Sequence, residues 1–333
     1  VKFIRFADWS TGLVLAGNRE AVEIGASLAA FRRRDRAAAT RLEALLPDGW
    51  DGSWLPMIEG WSKAKADLKS FLAFAEERRA GTAIRKLSGQ KLQPPLASRA
   101  SRTFALGANS VGHNVAAFKA LLNKEIDGDQ YYREKAEGIP PFGFSVHPDL
   151  IVGHGARVAP PKGTQKFDYE SEIGVILAKG GRDLPPEKIR IWGFMPWNDW
   201  SLRDSLFGIG PNISRLLLLS WNLMKNFDTC TSAGPWVTVD EGHDLAKLRV
   251  LLRVNGKVLQ DWTSDAMIYS FAETLSFLSK YVTLKPGDMV ASGTGPGTAI
   301  EFGEHSPYWL KPGDEVEVEI EGVSVLRNKV GAF

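Results

Sequence analysis

The run Asp168-Tyr169-Glu170-Ser171-Glu172-Ile173-Gly174-Val175-Ile176-Leu177 turns from acidic to apolar within ten residues. Its spacing predicts a β-strand. Alternate residues of a strand share a face, so Asp168, Glu170 and Glu172 would project together. Three like charges in a row need water, basic neighbours or a cation. The apolar stretch from Gly174 to Leu177 carries the strand toward a core, and a partly buried anionic row calls for a cation. Oxygen-only ligands favour a hard ion, Mg²⁺, Mn²⁺ or Ca²⁺. An exposed acidic edge strand is the competing account, and on spacing alone it is the simpler one.

Downstream, Asn198-Asp199-Trp200-Ser201-Leu202-Arg203-Asp204 sets an acid, an amide and a guanidinium among large apolar groups. Polar groups in such company have assigned partners. Either Asn198 or Asp199 caps a helix running through Arg203, or the cluster forms part of a site; these residues alone leave both open.

Strand-like runs broken by turn signals extend from Ser101 to the end of the chain. Leu248 to Val254, Asn255-Gly256 and Lys257 to Gln260 read as a hairpin, because Asn-Gly supplies the positive φ angles of a type I′ turn. Leu284-Lys285-Pro286-Gly287-Asp288 recurs as Leu310-Lys311-Pro312-Gly313-Asp314, and each copy predicts a tight turn feeding a strand. Between them, Phe271, Leu275 and Leu278 make a helical stripe over Ser270–Tyr281.

The first hundred residues have another texture. Two short strands are expected over 1–16, then a helix from Glu20 to Leu46 stopped by Pro47-Asp48-Gly49. A second helix follows from Ser62 to Arg79, and a polar linker over 82–101. The reading is an α+β chain: a small N-terminal α/β domain with its linker over 1–100, then a β-rich domain over 101–333.

Composition removes several function classes. The 333 residues carry 41 basic and 39 acidic side chains, leaving no excess positive charge for nucleic acid. The basic run Arg32-Arg33-Arg34-Asp35-Arg36 reads as a solvated helix face. The single cysteine, Cys230, excludes an intrachain disulfide and a cysteine-rich metal site; a catalytic thiol is the lesser alternative. Leu216 to Leu219 is far too short for a membrane span, and the N-terminal residues lack an apolar signal core. A cytoplasmic protein is expected.

Taken in order, these stretches resemble the fumarylacetoacetate hydrolase family across residues 103–331. Leu106-Gly107-Ala108-Asn109-Ser110-Val111-Gly112-His113 is similar to its Gly-Leu-Asn-Tyr-x-x-His. Asp168 to Glu172 is similar to its Asp-Tyr-Glu-x-Glu, and Asn198 to Asp204 to its Asn-Asp-x-Ser-Ala-Arg-Asp. Lys225-Asn226-Phe227-Asp228 with Gly234-Pro235-Trp236, Thr263 to Ser270, and Ser292 to Gly297 follow in the same order. The resemblance implies a mixed β-roll, a homodimer, and Mg²⁺ or Mn²⁺ (sometimes Ca²⁺) acting on a small oxo-acid or diketone. It places Glu170, Glu172 and Asp199 on metal ligands, Lys225 and Arg203 beside the substrate oxygens, His113 on the proton-moving histidine, and Thr294 on a substrate loop. Asp168 becomes a flanking acid. His147, His154, His243 and His305 have no such context.

Two positions depart from the pattern. Members often carry a glutamate three residues after the histidine, where this chain has Ala116; Glu301, in Ile300-Glu301-Phe302, is the expected replacement. Phe144-Ser145-Val146-His147-Pro148 lacks a lysine found in many members, and Gly208 to Leu223 is notably apolar. The substrate is then larger or greasier than fumarylacetoacetate, or those leucines are structural. A hydrolase cleaving a C–C bond in an acylpyruvate or β-diketone is the leading expectation. A lyase or isomerase (decarboxylase, hydratase or tautomerase) on a 2-oxo-acid is the second, and a metal-binding scaffold without activity the third.

Overall fold

The computed structural model describes residues 1–46, 52–207, 219–239 and 242–333. It opens with strands β1 (Lys2–Phe6), β2 (Thr11–Val14) and β3 (Glu20–Glu23), and helices α1 (Ile24–Arg32), α2 (Arg36–Leu45), α3 (Leu55–Glu59) and α4 (Trp61–Glu77). Then come β4 (Ile84–Lys86), β5 (Leu92–Gln93), β6 (Thr103–Leu106), α5 (Val111–Leu122), α6 (Asp129–Ala136) and β7 (Gly143–Val146). The middle holds β8 (Ile151–Val152), β9 (Arg157–Val158), β10 (Phe167–Asp168), β11 (Ser171–Leu177), β12 (Ile191–Asp199), β13 (Ser201–Leu202) and α7 (Leu219–Lys225). The last part holds β14 (Thr231–Ala233), β15 (Trp236–Val239), β16 (Arg249–Val254), β17 (Lys257–Thr263), α8 (Phe271–Ser279), β18 (Met289–Ala291), β19 (Glu315–Ile320) and β20 (Ser324–Val330).

A mixed α+β fold results, with an N-terminal region ahead of the β-rich domain. One large sheet follows the order β4-β3-β2-β1-β15-β12-β11-β18-β6-β7, and a smaller one the order β17-β16-β19-β20-β9. β12 packs against β19 and β20, and β11 against β16, so the sheets face each other across the core. Along β19 and β20 burial alternates, whereas β11 is buried at every position, as a central strand covered on both faces should be. Gly174 is required there: a Cβ would collide with the Trp197 ring on β12.

The hairpin forms as β16 and β17, with Asn255 and Gly256 at φ 49° and 81°. Both Leu-Lys-Pro-Gly-Asp turns also form, each closed by its aspartate accepting the lysine amide, Asp288 from Lys285 and Asp314 from Lys311. α8 buries Phe271 and Leu275 behind a Ser270–Glu273 capping box.

Four expectations need correction. The helix expected over Glu20–Leu46 is strand β3 plus two helices. β3 pairs with β2, and Asp35 ends the first helix run by accepting the Ala38 amide as the cap of α2. The stretch read as linker contributes β4 and β5, which pair with β3 and β1, and it buries Leu92, Leu96 and Ala97. The acidic run is not one strand: it breaks at Tyr169-Glu170, so Asp168 pairs with Ser201 in a separate ladder while Ser171 starts β11. Asn198 and Asp199 cap no helix; they end β12. The Pro47-Asp48-Gly49 stop and most of the apolar stretch from Gly208 lie outside the described residues.

Candidate active site

The site forms where β11 begins and β12 ends. Their antiparallel register sets Ser171 opposite Asn198 and Glu172 opposite Trp197, which brings Glu172 of β11, and Glu170 just ahead of it, to Asp199 at the end of β12. Asn198 fixes the break in the run by accepting the Glu170 amide at 3.0 Å, and the Asp199 amide donates to the Glu170 carbonyl at 3.0 Å. Carboxylate oxygens of Glu170, Glu172 and Asp199 all lie within 4.8 Å of one another, and all three residues are buried.

Two buried cations share this space. Lys225, at the end of α7, donates from Nζ to Glu170 Oε2 at 2.5 Å, Asp199 Oδ2 at 2.8 Å and Ser201 Oγ at 2.6 Å. Arg203 bridges Asp168 (Nε to Oδ2, 3.1 Å) and Glu170. Four buried carboxylates thus face two buried cations, an excess of two negative charges. Hydrogen bonds leave the same remainder. Both Glu172 carboxylate oxygens and Asp199 Oδ1 are buried without a hydrogen-bond partner. Orphaned buried anions are costly unless a cation completes them. The donor set is all oxygen and two charges short of neutral, so it fits one hard divalent ion.

Titration behaviour follows from the same geometry. Burial, with repulsion from Asp199 and Glu170, holds the Glu172 carboxyl well above the usual carboxylate range, against the pull of Lys225. Asp199 is pushed up to about 6 by burial and by Glu170, against the pull of Lys225. For Glu170 burial acts upward too, but Lys225, Arg203 and then His113 overcome it and bring the group down to about 2. A site with two reluctant carboxylates and one committed anion will take up a metal ion with release of protons.

His113 lies in the first turn of α5, and its Nδ1 is 2.7 Å from Glu301 Oε1. Glu301 is held by a turn of its own, accepting from the Gly297 amide at 2.8 Å and from Thr298 Oγ1 at 3.1 Å. Gly297 adopts φ 105°, and a Cβ there would meet the Leu259 carbonyl, so this close turn needs glycine. With Glu301 ionised, Nδ1 carries the ring proton and Nε2 is left as an acceptor.

Thr294 is buried, but its hydroxyl is committed within the protein, donating to the Ser171 carbonyl at 3.0 Å and accepting from Gln260 Nε2 at 2.9 Å. Gln260 is the residue that sequence reasoning missed. Its Oε1 accepts the Ser171 amide at 2.9 Å, and its Nε2 also reaches the Gly295 carbonyl at 2.8 Å. One buried amide therefore joins the metal strand, the Thr294 loop and the smaller sheet. The available signal was an amide on β17 at the same inward parity as Trp262. Cys230 is buried with its thiol pushed up to about 12 by burial, which removes the catalytic-thiol alternative. His154 is also structural: Nδ1 accepts the Arg327 amide at 3.2 Å. Among the described residues no helix is long and apolar enough to cross a membrane.

Comparison with known proteins agrees with this geometry. The chain is 35% identical to the bovine (Bos taurus) mitochondrial oxaloacetate tautomerase FAHD2A over 203 residues, which is 60% of this chain and 62% of that one. It therefore spans somewhat less than two thirds of that relative's length. Fumarylpyruvate hydrolase from Pseudomonas aeruginosa, solved with Mn²⁺ and pyruvate, matches with a TM-score of 0.54 and 26% identity, over 74% of this chain and 94% of the other. Maleylpyruvate hydrolase from Sphingobium sp. SYK-6 shares the fold over the full length of both chains, with a TM-score of 0.69 and 19% identity. The family model described as fumarylacetoacetate (FAA) hydrolase C-terminal matches residues 102–331. The chain belongs to the fumarylacetoacetate hydrolase family, as an enzyme with a buried Glu/Glu/Asp site for a divalent metal.

Proposed function

We propose that the protein is a metal-dependent hydrolase that cleaves a C–C bond in an acylpyruvate or related β-diketone acid. The contact between His113 and Glu301 carries this reading. Ala116 leaves the histidine without an acid on its own helix, which would favour chemistry that needs no attacking water. Glu301 at hydrogen-bond distance takes that reason away. Glu170, Glu172 and Asp199 would hold Mg²⁺ or Mn²⁺, which supplies Lewis acidity toward a chelating dicarbonyl.

In this reading His113 Nε2 takes a proton from water while Glu301 orients the ring and balances its charge. The water oxygen bonds to the acyl carbonyl carbon, and the bond from that carbon to the pyruvate methylene breaks. The electron pair passes into the pyruvate enolate, which is then protonated. Lys225 and Arg203 hold positive charge beside the carboxylates and favour the negative charge that develops on the dicarbonyl oxygens. The bovine and Pseudomonas relatives support an oxo-acid as the substrate class.

Turnover of acylpyruvates in ¹⁸O-labelled water, with Mg²⁺ or Mn²⁺, tests the proposal: one labelled oxygen should enter the released carboxylate. Glu301→Gln should lower turnover about 100-fold with little change in metal affinity; wild-type turnover in that variant would remove the dyad from the mechanism. The likeness to an oxaloacetate tautomerase favours a second reading, proton transfer on a 2-oxo-acid without cleavage. Loss of enol absorbance with no label incorporated and no fragment released would select it.

A further inference from the structure

Asp168 and Tyr169 precede the metal acids in the chain and stand outside that set, yet both reach the turn that carries Glu301. Asp168 Oδ1 accepts the Ala299 amide at 2.7 Å, and its Oδ2 accepts the Ile300 amide at 3.3 Å. The Tyr169 hydroxyl donates to the Gly297 carbonyl at 3.2 Å. The two side chains thus grip the turn on either side of Thr298. Both residues are 0% exposed, so neither can touch a substrate.

The grip matters because Glu301 is otherwise held only by its own turn. Its carboxylate accepts from the Gly297 amide at 2.8 Å and from Thr298 Oγ1 at 3.1 Å, bonds that move with the turn as a unit. His113 stands on another element, α5, which packs against residues 299–302. From Gly297 to Glu301, the hydrogen bonds that leave the turn run to Asp168, Tyr169 and His113. Asp168 is fixed on its other side by Arg203, which donates to Oδ2 at 3.1 Å and also reaches Glu170. One buried carboxylate therefore joins the arginine of the metal site to the turn bearing the partner of the histidine. An orienting group acts only as well as it is itself held in place.

We infer that Asp168 and Tyr169 are positioning residues that hold Glu301 against His113 Nδ1. The inference rests on the dyad of the proposed function. With Glu301 displaced, the neutral imidazole is free to carry its proton on either nitrogen, and the fraction with Nε2 open as an acceptor falls.

Ring ¹⁵N shifts of His113 in the Mg²⁺-loaded protein, at alkaline pH where the imidazole is neutral, test it. The signal is identified by its loss in His113→Gln. The parent should show the proton on Nδ1, and Glu301→Gln a mixture of the two tautomers. Tyr169→Phe removes one hydroxyl, keeps the ring that fills the core, and should move the signal part of the way toward that mixture. Asp168→Asn should move it further; should that variant fail to fold, Tyr169→Phe decides alone. In acylpyruvate turnover Tyr169→Phe should lower kcat about tenfold, with KM and Mn²⁺ affinity unchanged. In the Glu301→Gln background it should cost nothing more, because it acts through the group already removed. A parental tautomer in Tyr169→Phe, or an equal loss of kcat in both backgrounds, would overturn the inference. If no acylpyruvate is cleaved, the hydrolase reading falls while the ring signal still decides the positioning.

Discussion

Asp168 and Glu172 lie four residues apart, are equally buried and carry the same charge, yet their surroundings are opposite. Asp168 sits in the small β10–β13 ladder and accepts from Arg203, from the Ala299 amide at 2.7 Å and from the Tyr169 amide at 2.9 Å. Burial still keeps its pKa above the ordinary value, against the pull of Arg203. Glu172 lies in the central strand β11 and has no hydrogen-bond partner on either oxygen. The difference comes from the chain break at Tyr169-Glu170, which sends the acids to different sheets. Asp168 is completed by the protein itself. Glu172 is left to be completed by something the protein must acquire.

The largest effect should come from the completed side. Asp168→Ala leaves Arg203 with Glu170 alone and should cost about 3–5 kcal/mol of stability, with or without metal. Chemical denaturation measures it, and a variant as stable as the parent would break the contrast. On the other side, Glu172→Gln should weaken Mn²⁺ binding at least about 100-fold by calorimetry. The metal-free variant should melt no lower than the parent, because repulsion from Asp199 and Glu170 is relieved; a marked drop would make Glu172 a structural group after all.

Gln260→Leu sharpens the comparison from the residue between the acids. It strands the Ser171 amide and should cost about 1–3 kcal/mol, read as a lower melting temperature. Mn²⁺ affinity should fall with it if Ser171 sets where Glu172 stands. The smallest effect concerns pH. The folded pKa of Asp199, about 6, lies above its ordinary 3.8, and that of Glu172 is shifted the same way. Between the two values the folded state holds more protons, so metal-free stability should fall as pH rises from about 4 to about 6. Saturating Mn²⁺ should flatten or reverse that slope, since it binds the deprotonated acids. Thermal melts with chelator and with Mn²⁺ decide between these, and identical slopes would argue that no ion binds the acids.

What was legible in the chain depended on local chemistry. Asn255-Gly256 and the two Pro-Gly-Asp turns dictate their own backbone, and each formed where expected. The metal acids were legible through their order with His113, Arg203 and Lys225, more than through spacing. Asp168 misled because strand alternation assumes one continuous strand, and the break rests on the Asn198 side chain thirty residues away. Residues 84–93 looked like linker because their strands are too short to show a period, and pairing with β3 and β1 alone makes them strands. The alanine-rich stretch from Glu20 read as a single helix because propensity outweighs a four-residue strand and a lone capping aspartate. Gln260 was invisible as chemistry, since its partners lie in two stretches distant from it in the chain, Ser171 and the Thr294-Gly295 loop.

The buried cysteine has a practical consequence. Cys230 is the chain's one thiol, and it is both enclosed and reluctant to ionise. Maleimide reagents should therefore ignore the native protein, so a cysteine placed on the surface becomes a unique address for a nitroxide or a dye. With paramagnetic Mn²⁺ in the acid cluster as the second spin, such labels would turn the molecule into its own ruler. Distances from the metal to any labelled position, or between two copies of the chain, could then be read in solution.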